Sequence, residues 1–221
     1  MIGGMLQVIG WAFLPFLAWP IVHLIWGQII KVKSFSEAFI SLIDSLIYWL
    51  GEITKWLLPL LVLSVAASVF ALSIFGVTTT KWLESAKYFQ ALIIMLGAAA
   101  TLLAGQHVRV DIFFSRMTEI GKARVDLIGF YLLLAPACIL LTWKAQSFVG
   151  FAWAIREGSS EADGIRGVYI LKTLIPIFAI SMVIQGLAIA TRAAMVLNGQ
   201  SRPERPKGIP PFFQTSKDER L

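Results

Sequence analysis

Charged side chains are scarce in this chain, and their scarcity decides its class. Only 19 Lys and Arg and 13 Asp and Glu occur among 221 residues, 57% of which are apolar, and the mean hydropathy is +0.77. Soluble domains carry about a quarter charged residues, so a soluble fold is excluded. No polar stretch reaches domain length, which excludes a separate catalytic or ligand-binding domain. The single cysteine, Cys138, lies inside an apolar run. An intramolecular disulfide and any Cys-based zinc or iron–sulfur site are therefore ruled out. The two histidines are His23 and His107. His107 falls at the end of a predicted span and His23 in the N-terminal segment, which argues against a bis-histidine haem between helices. P-loop, GxSxG and HExxH motifs are also lacking, as is a pair of carboxylates within a span, so no enzyme chemistry is expected. The net charge of +6 reads as loop charge that marks orientation, not as a nucleic-acid surface.

What the chain does have is long charge-free runs, at 1–30, 56–80, 88–108, 127–143 and 173–191. A helix needs about 20 apolar residues to cross about 30 Å of hydrocarbon. The runs predict an all-α integral membrane protein with four core transmembrane helices, an amphipathic interfacial or tilted helix, and an extra N-terminal hydrophobic segment. The spans are expected near 56–77, 88–106, 125–147 and 169–194. Boundaries follow: an N-terminal hydrophobic segment over 1–33, a membrane domain over 34–198, and a flexible charged and Pro-rich tail over 199–221. Residues 1–30 lack a basic n-region and an A-x-A cleavage site, so they do not read as a secretory signal. Pro15 and Pro20 predict a bent span or a half-inserted segment there, unless the true start codon lies downstream.

Between Lys33 and the first certain span, Ser41, Asp44, Tyr48, Glu52 and Lys55 form one polar stripe on an otherwise apolar helix. That helix either lies in the membrane interface with its stripe in water, or continues into the next span with its stripe against a partner subunit or headgroups. In the second span Gly97, Thr101 and Gly105 recur four apart, a face that favours close helix packing. Gln185 is the clearest polar residue at depth and suggests an interhelical hydrogen bond. No ionisable group is expected near the midplane, and nothing suffices to carry a solute alone. Pro59, Pro136 and Pro176 predict kinks. Counting Lys and Arg on alternate sides gives twelve with the C-terminus and six with the loop at 156–168, leaving Lys55 at a boundary. The positive-inside bias then puts the C-terminus in the cytoplasm and that loop outside.

The most distinctive element is His107-Val-Arg-Val-Asp-Ile-Phe-Phe-Ser-Arg116. Asp111 is placed to cap a short helix, and Arg109 and Arg116 can reach phosphates or partner carboxylates. The run GQHVRVDIFFSRM at 105–117, followed by ARVDLIGF, resembles the small permease subunit of tripartite ATP-independent periplasmic (TRAP) transporters. YILKTLIPIFAISMVIQGLA at 169–188 and the Trp-containing segment with its Glu-Gly-Ser-Ser loop are similar to the same family, so that the likeness covers roughly 38–198. Two departures stand out: the first 30 residues are additional, and Tyr169-Ile-Leu stands where Trp-Pro is often found before Lys172.

The resemblance implies a scaffold without chemistry of its own or any cofactor, packed against a large permease subunit in the bacterial inner membrane. That larger subunit would hold sodium and substrate, and a periplasmic binding protein would deliver an organic acid. His107, Arg109, Asp111, Arg116, Lys172 and Gln185 would then serve the subunit or lipid interface. Glu157, Glu161, Asp163 and Arg166 would offer a contact for the binding protein. The competing readings are a membrane anchor of a respiratory enzyme and a stand-alone carrier or channel.

Overall fold

The computed structural model describes residues 16–77, 80–105, 117–201 and 203, and the described residues are helical with no strand. The helices are α1 (Trp19–Trp26), α2 (Ile30–Lys55), α3 (Leu57–Phe75), α4 (Thr80–Leu103), α5 (Glu119–Gly129), α6 (Ala135–Ala154) and α7 (Val168–Leu197). Four units are long and apolar enough to cross a membrane: Ile30–Phe75, Thr80–Leu103, Glu119–Ala154 and Val168–Leu197. The fold is therefore that of an all-α membrane protein, as the charge-free runs predict.

The prolines shape the joins. Pro59 lacks the N–H that would bond the carbonyl of Lys55, and between α2 and α3 the helix tightens at Trp56, whose N–H reaches Ile53 O at 3.2 Å. The amphipathic helix thus runs on into the first span with a one-residue join. Pro136, the second residue of α6, has the same deficit. The chain absorbs it in a π-helical turn, Phe130–Leu134, that closes with the Ala135 N–H on Phe130 O.

α7 is the central element, because its small residues admit every neighbour. Ala179, Gly186, Ala188, Ala190, Ala193 and Ala194 are buried along it. A Cβ on Gly186 would stand 2.9 Å from Phe130 Cδ2, so the glycine makes room for the ring that the π-turn directs inward. One core cluster joins Ile43 and Ile47 of α2, Ala99, Ala100 and Leu103 of α4, Cys138 of α6 and Ala179, Met182 and Ala188 of α7. Cys138 is a buried free thiol.

α2 continues into the first span, as one of the two expectations had it, but its polar stripe is divided. Its buried positions are Ser36, Ile40, Ile43, Asp44, Ile47, Gly51 and Thr54, whereas Leu42, Leu46, Trp49 and Ile53 are exposed. Asp44 of the stripe turns into this chain's own bundle, while Ser41 and Lys55 are exposed. The small-residue face of α4 also differs in detail. Gly97 lies beside Thr54, with 3.6 Å between a built Cβ and Thr54 Cγ2. Thr101 is exposed and donates to Ala98 O at 2.8 Å. Gly105 has φ 71 and follows the end of the helix. The close approach is made instead by Gly51 and Ala100, where a Cβ on Gly51 would meet Ala100 Cβ at 2.6 Å.

Gly51→Ala should therefore push α2 from α4 and lower stability by about 1–3 kcal/mol. Gly97→Ala, which meets only ordinary contact, should be neutral or slightly stabilising. Thermal unfolding of both variants in one detergent checks the contrast, and equal losses would contradict the packing described.

Candidate functional site

Among the described residues, the polar side chains that bear on the candidate site gather in three places. The first is inside the bundle, where Asp44 is fully buried and Arg192 is 6% exposed. The carboxylate of Asp44 accepts from three donors: Gln185 Nε2 at 3.3 Å, Arg192 Nη1 at 3.4 Å, and Arg192 Nη2 in a direct ion pair. Gln185 and Arg192 are seven residues apart on α7, two turns on one face, so both reach the single acid projecting from α2. The low dielectric of the interior strengthens this pairing, and it would make either charge alone expensive to bury. Gln185 Oε1 and Arg192 Nε are buried without a partner in the cluster.

The second gathering is the loop between α6 and α7 and the helix ends beneath it. Glu84, in the first turn and a half of α4, accepts from the Ile165 N–H at 2.6 Å and from the Ser159 hydroxyl. Lys172 donates to Glu157 Oε1 at 2.7 Å and stands 3.9 Å from the centroid of the Phe148 ring. Trp153 Nε1 donates to Thr173 Oγ1 at 2.9 Å. Lys81 pairs with Asp163 at 2.7 Å, both side chains being largely exposed. Two carboxylates inside the loop region thus fasten it to α4 and α7, and the left-handed φ of 48 at Arg156 turns the chain out of α6.

The third gathering joins α1 to the far end of the chain. His23 is fully buried, its Nδ1 lies 2.8 Å from Ser36 Oγ, and its Nε2 lies 3.3 Å from Gln200 Oε1. Both ring nitrogens are engaged within the chain.

Among the described residues no group of three or more His, Cys, Asp or Glu could hold a metal ion. The arrangement pairs most of its polar groups within the chain, while many large apolar side chains lie exposed outside. A family model described as "Tripartite ATP-independent periplasmic transporters, DctQ component" matches residues 61–195, more than half of the chain. The chain belongs to the DctQ family. It is the small membrane component of a TRAP transporter, a transporter part and a multi-pass membrane protein. No curated protein and no solved structure matches it.

For this DctQ component the structure distributes the residues singled out in the sequence as follows. His107, Arg109, Asp111 and Arg116 lie outside the described residues. Lys172 is engaged with Glu157 and Gln185 with Asp44, so both serve contacts within the chain. Glu157 and Asp163 are likewise paired, while Glu161 and Arg166 are exposed. Asp44 and Arg192 form an ion pair buried within the bundle, a contact between α2 and α7 not anticipated from the sequence. Asp44 and His23 lie before the matched segment, so the family match alone does not reach either contact. The signal for Asp44 was available in outline. It occupies the helical position next to Ile43 and three before Ile47, among the apolar positions of α2 that turn inward.

Replacing Asp44 by Asn or Arg192 by Gln should each destabilise the protein by about 3–5 kcal/mol, since each leaves a buried charge alone. The double variant should recover much of that loss. Unfolding free energies measured in bicelles for the full cycle test this, and strictly additive losses would show that the two groups do not act as a pair.

Proposed function

We propose that the chain braces the large permease subunit of a TRAP transporter that takes up an organic acid, driven by sodium and supplied by a periplasmic binding protein. Sodium and substrate belong to the larger partner, and this chain supplies scaffold. The observation that carries the reading is the inversion of polarity. Asp44, Gln185 and Arg192 are spent on one another inside, whereas α3 buries only Ser68 and exposes Leu58, Val62, Leu63, Val69, Phe70 and Phe75. A body of this kind offers apolar helix faces to lipid and to another membrane protein, and among the described residues it keeps no free internal charge for an ion or an acid.

The bacterial inner membrane is the compartment, with the C-terminus in the cytoplasm. Twelve Lys and Arg on that side against six on the other support this orientation. The domain limits at 33 and 198 and the tail beyond them belong to the same reading. The fastened loop at 155–167 then faces the periplasm, where its exposed Glu161 and Arg166 are available to the binding protein. Arg109, Asp111, His107 and Arg116 would fix the cytoplasmic end of α4 against lipid phosphates or the large subunit.

Purified from its native membrane through a C-terminal tag, the chain should bring with it one much larger multi-span protein in near-equal amount. When reconstituted alone it should transport no organic acid. Transport by the lone chain would overturn the scaffold reading. Arg109→Ala and Asp111→Ala should lower recovery of the large subunit, whereas charge reversal at Glu161 and Arg166 should slow uptake only when binding protein is limiting. A reporter fused at the C-terminus that is active only in the periplasm should stay silent.

A further inference from the structure

The segment before α2 lies outside the residues that match the family, yet it is tied to the other end of the chain by a connected set of hydrogen bonds. Trp19 Nε1 donates to Ser36 Oγ at 3.1 Å, and His23 Nδ1 meets the same oxygen. Asn198 Nδ2 donates to His23 O at 2.7 Å, Gln28 Nε2 to Asn198 O at 3.1 Å, and Gln200 Nε2 to Gly27 O at 2.6 Å. Gly199 makes this possible: with φ 73 it reverses the chain after α7, so that the Gln200 N–H returns to Met195 O at 3.0 Å and its side chain faces α1.

These partners fix the state of the imidazole. The Gln200 amide nitrogen is committed to Gly27 O, so its oxygen is the atom that faces His23 Nε2, and Nε2 must carry the proton. Nδ1 is then an acceptor, and the Ser36 hydroxyl, which already accepts from Trp19, donates to it. A second proton on Nδ1 would face that hydroxyl and place a cation in a fully buried site. Among the described residues, the elements packed against α1 supply no free counter-ion. On α2, Lys31 and Lys33 are basic, Glu37 pairs with Lys33 at the surface, and Asp44 is held by Arg192 of α7. Tyr131 of the π-turn donates to Leu17 O at 2.6 Å.

We propose that His23 operates a proton-sensitive latch, closed by the neutral ring and opened by its protonation, between the N-terminal segment and the end of α7. Burial supports the direction, since it holds the ring below the ordinary value of 6.5 despite the bond to Gln200. α1 is not one of the four spanning helices. The sign follows from linkage: the closed state takes up a proton less readily than the open one. Its advantage is complete above 6.5 and shrinks as the pH falls below that value, by up to about tenfold in the closed-to-open ratio per pH unit.

Hydrogen exchange of the full chain in nanodiscs, corrected for intrinsic rates, tests the latch. Protection of residues 17–27 should fall at least about threefold between about pH 7.5 and about pH 5.5. In His23→Gln, uncharged at every pH, it should not change over that range. Constant protection in the wild type, or the same fall in the variant, would overturn the proposal. Because the substitution could loosen the latch at every pH, nitrogen-15 shifts of the wild-type ring provide a second check. A ring protonated on Nε2 alone near neutrality, gaining its second proton as protection is lost, supports the latch. An Nδ1–H tautomer, or a ring that stays neutral while the segment opens, refutes it.

Discussion

The constraint on which the rest of this bundle depends is the need to keep Asp44 and Arg192 together. Two opposite charges removed from water gain little net stability over a pair of well-packed apolar side chains, because desolvation consumes most of the Coulomb attraction. Their effect is on specificity: α2 and α7 cannot rotate or slide against each other without stranding a charge. Gln185 tightens this further by adding a third donor to the same carboxylate. In a membrane, where apolar helix faces pack against lipid as readily as against each other, a directional contact of this kind decides which faces meet.

With the polar groups turned inward, the remaining packing is left to small residues. α7 presents alanines and Gly186, and α4 presents Ala99 and Ala100 to Gly51 of α2. Close backbone approach replaces the large side chains that fill a soluble core, and the large apolar residues go outward instead. α3 is the extreme case, since Ser68 is its one buried residue. A DctQ component built this way has its specific contacts inside and a broad apolar face outside, as suits a part that stands beside a larger membrane protein.

The four spans were legible because the bilayer imposes one simple requirement, a charge-free length, and the sequence shows it directly. The joins at Pro59 and Pro136 were legible for a similar reason, a missing donor, although the π-turn that absorbs Pro136 was not. Which face of a helix turns inward was harder to read. The stripe of Ser41, Asp44, Tyr48, Glu52 and Lys55 suggested a face turned either to water or to a partner subunit or headgroups, since polar residues on a helix usually leave their own apolar core. Here the partner that neutralises Asp44 lies 148 residues away, and no local pattern announces it. Arg192 was hidden by its place at the end of a charge-free run, where a basic residue ordinarily marks the membrane boundary. Thr101 and Gly105 illustrate the same limit. Spacing identifies a face with small residues, but the partner helix chooses the register, and it chose Ala100.

The two polar contacts of α2 also share a register. Ser36 reaches Gln200 through His23, and Asp44 reaches Arg192 directly. Ser36 and Asp44 are eight residues, about 12 Å, apart along α2, and Gly199 folds Gln200 back beside the end of α7 so that the outer contact closes on the same pair of helices. A slip of α2 by one residue would rotate both donors and acceptors by about 100° and break the two contacts together. The outer contact is neutral and passes through a short segment that can leave, whereas the inner one is ionic and lies within the bundle. Opening the outer contact therefore frees α1 without releasing α2. The ion pair keeps the register, and the N-terminal segment can close again on the same partners.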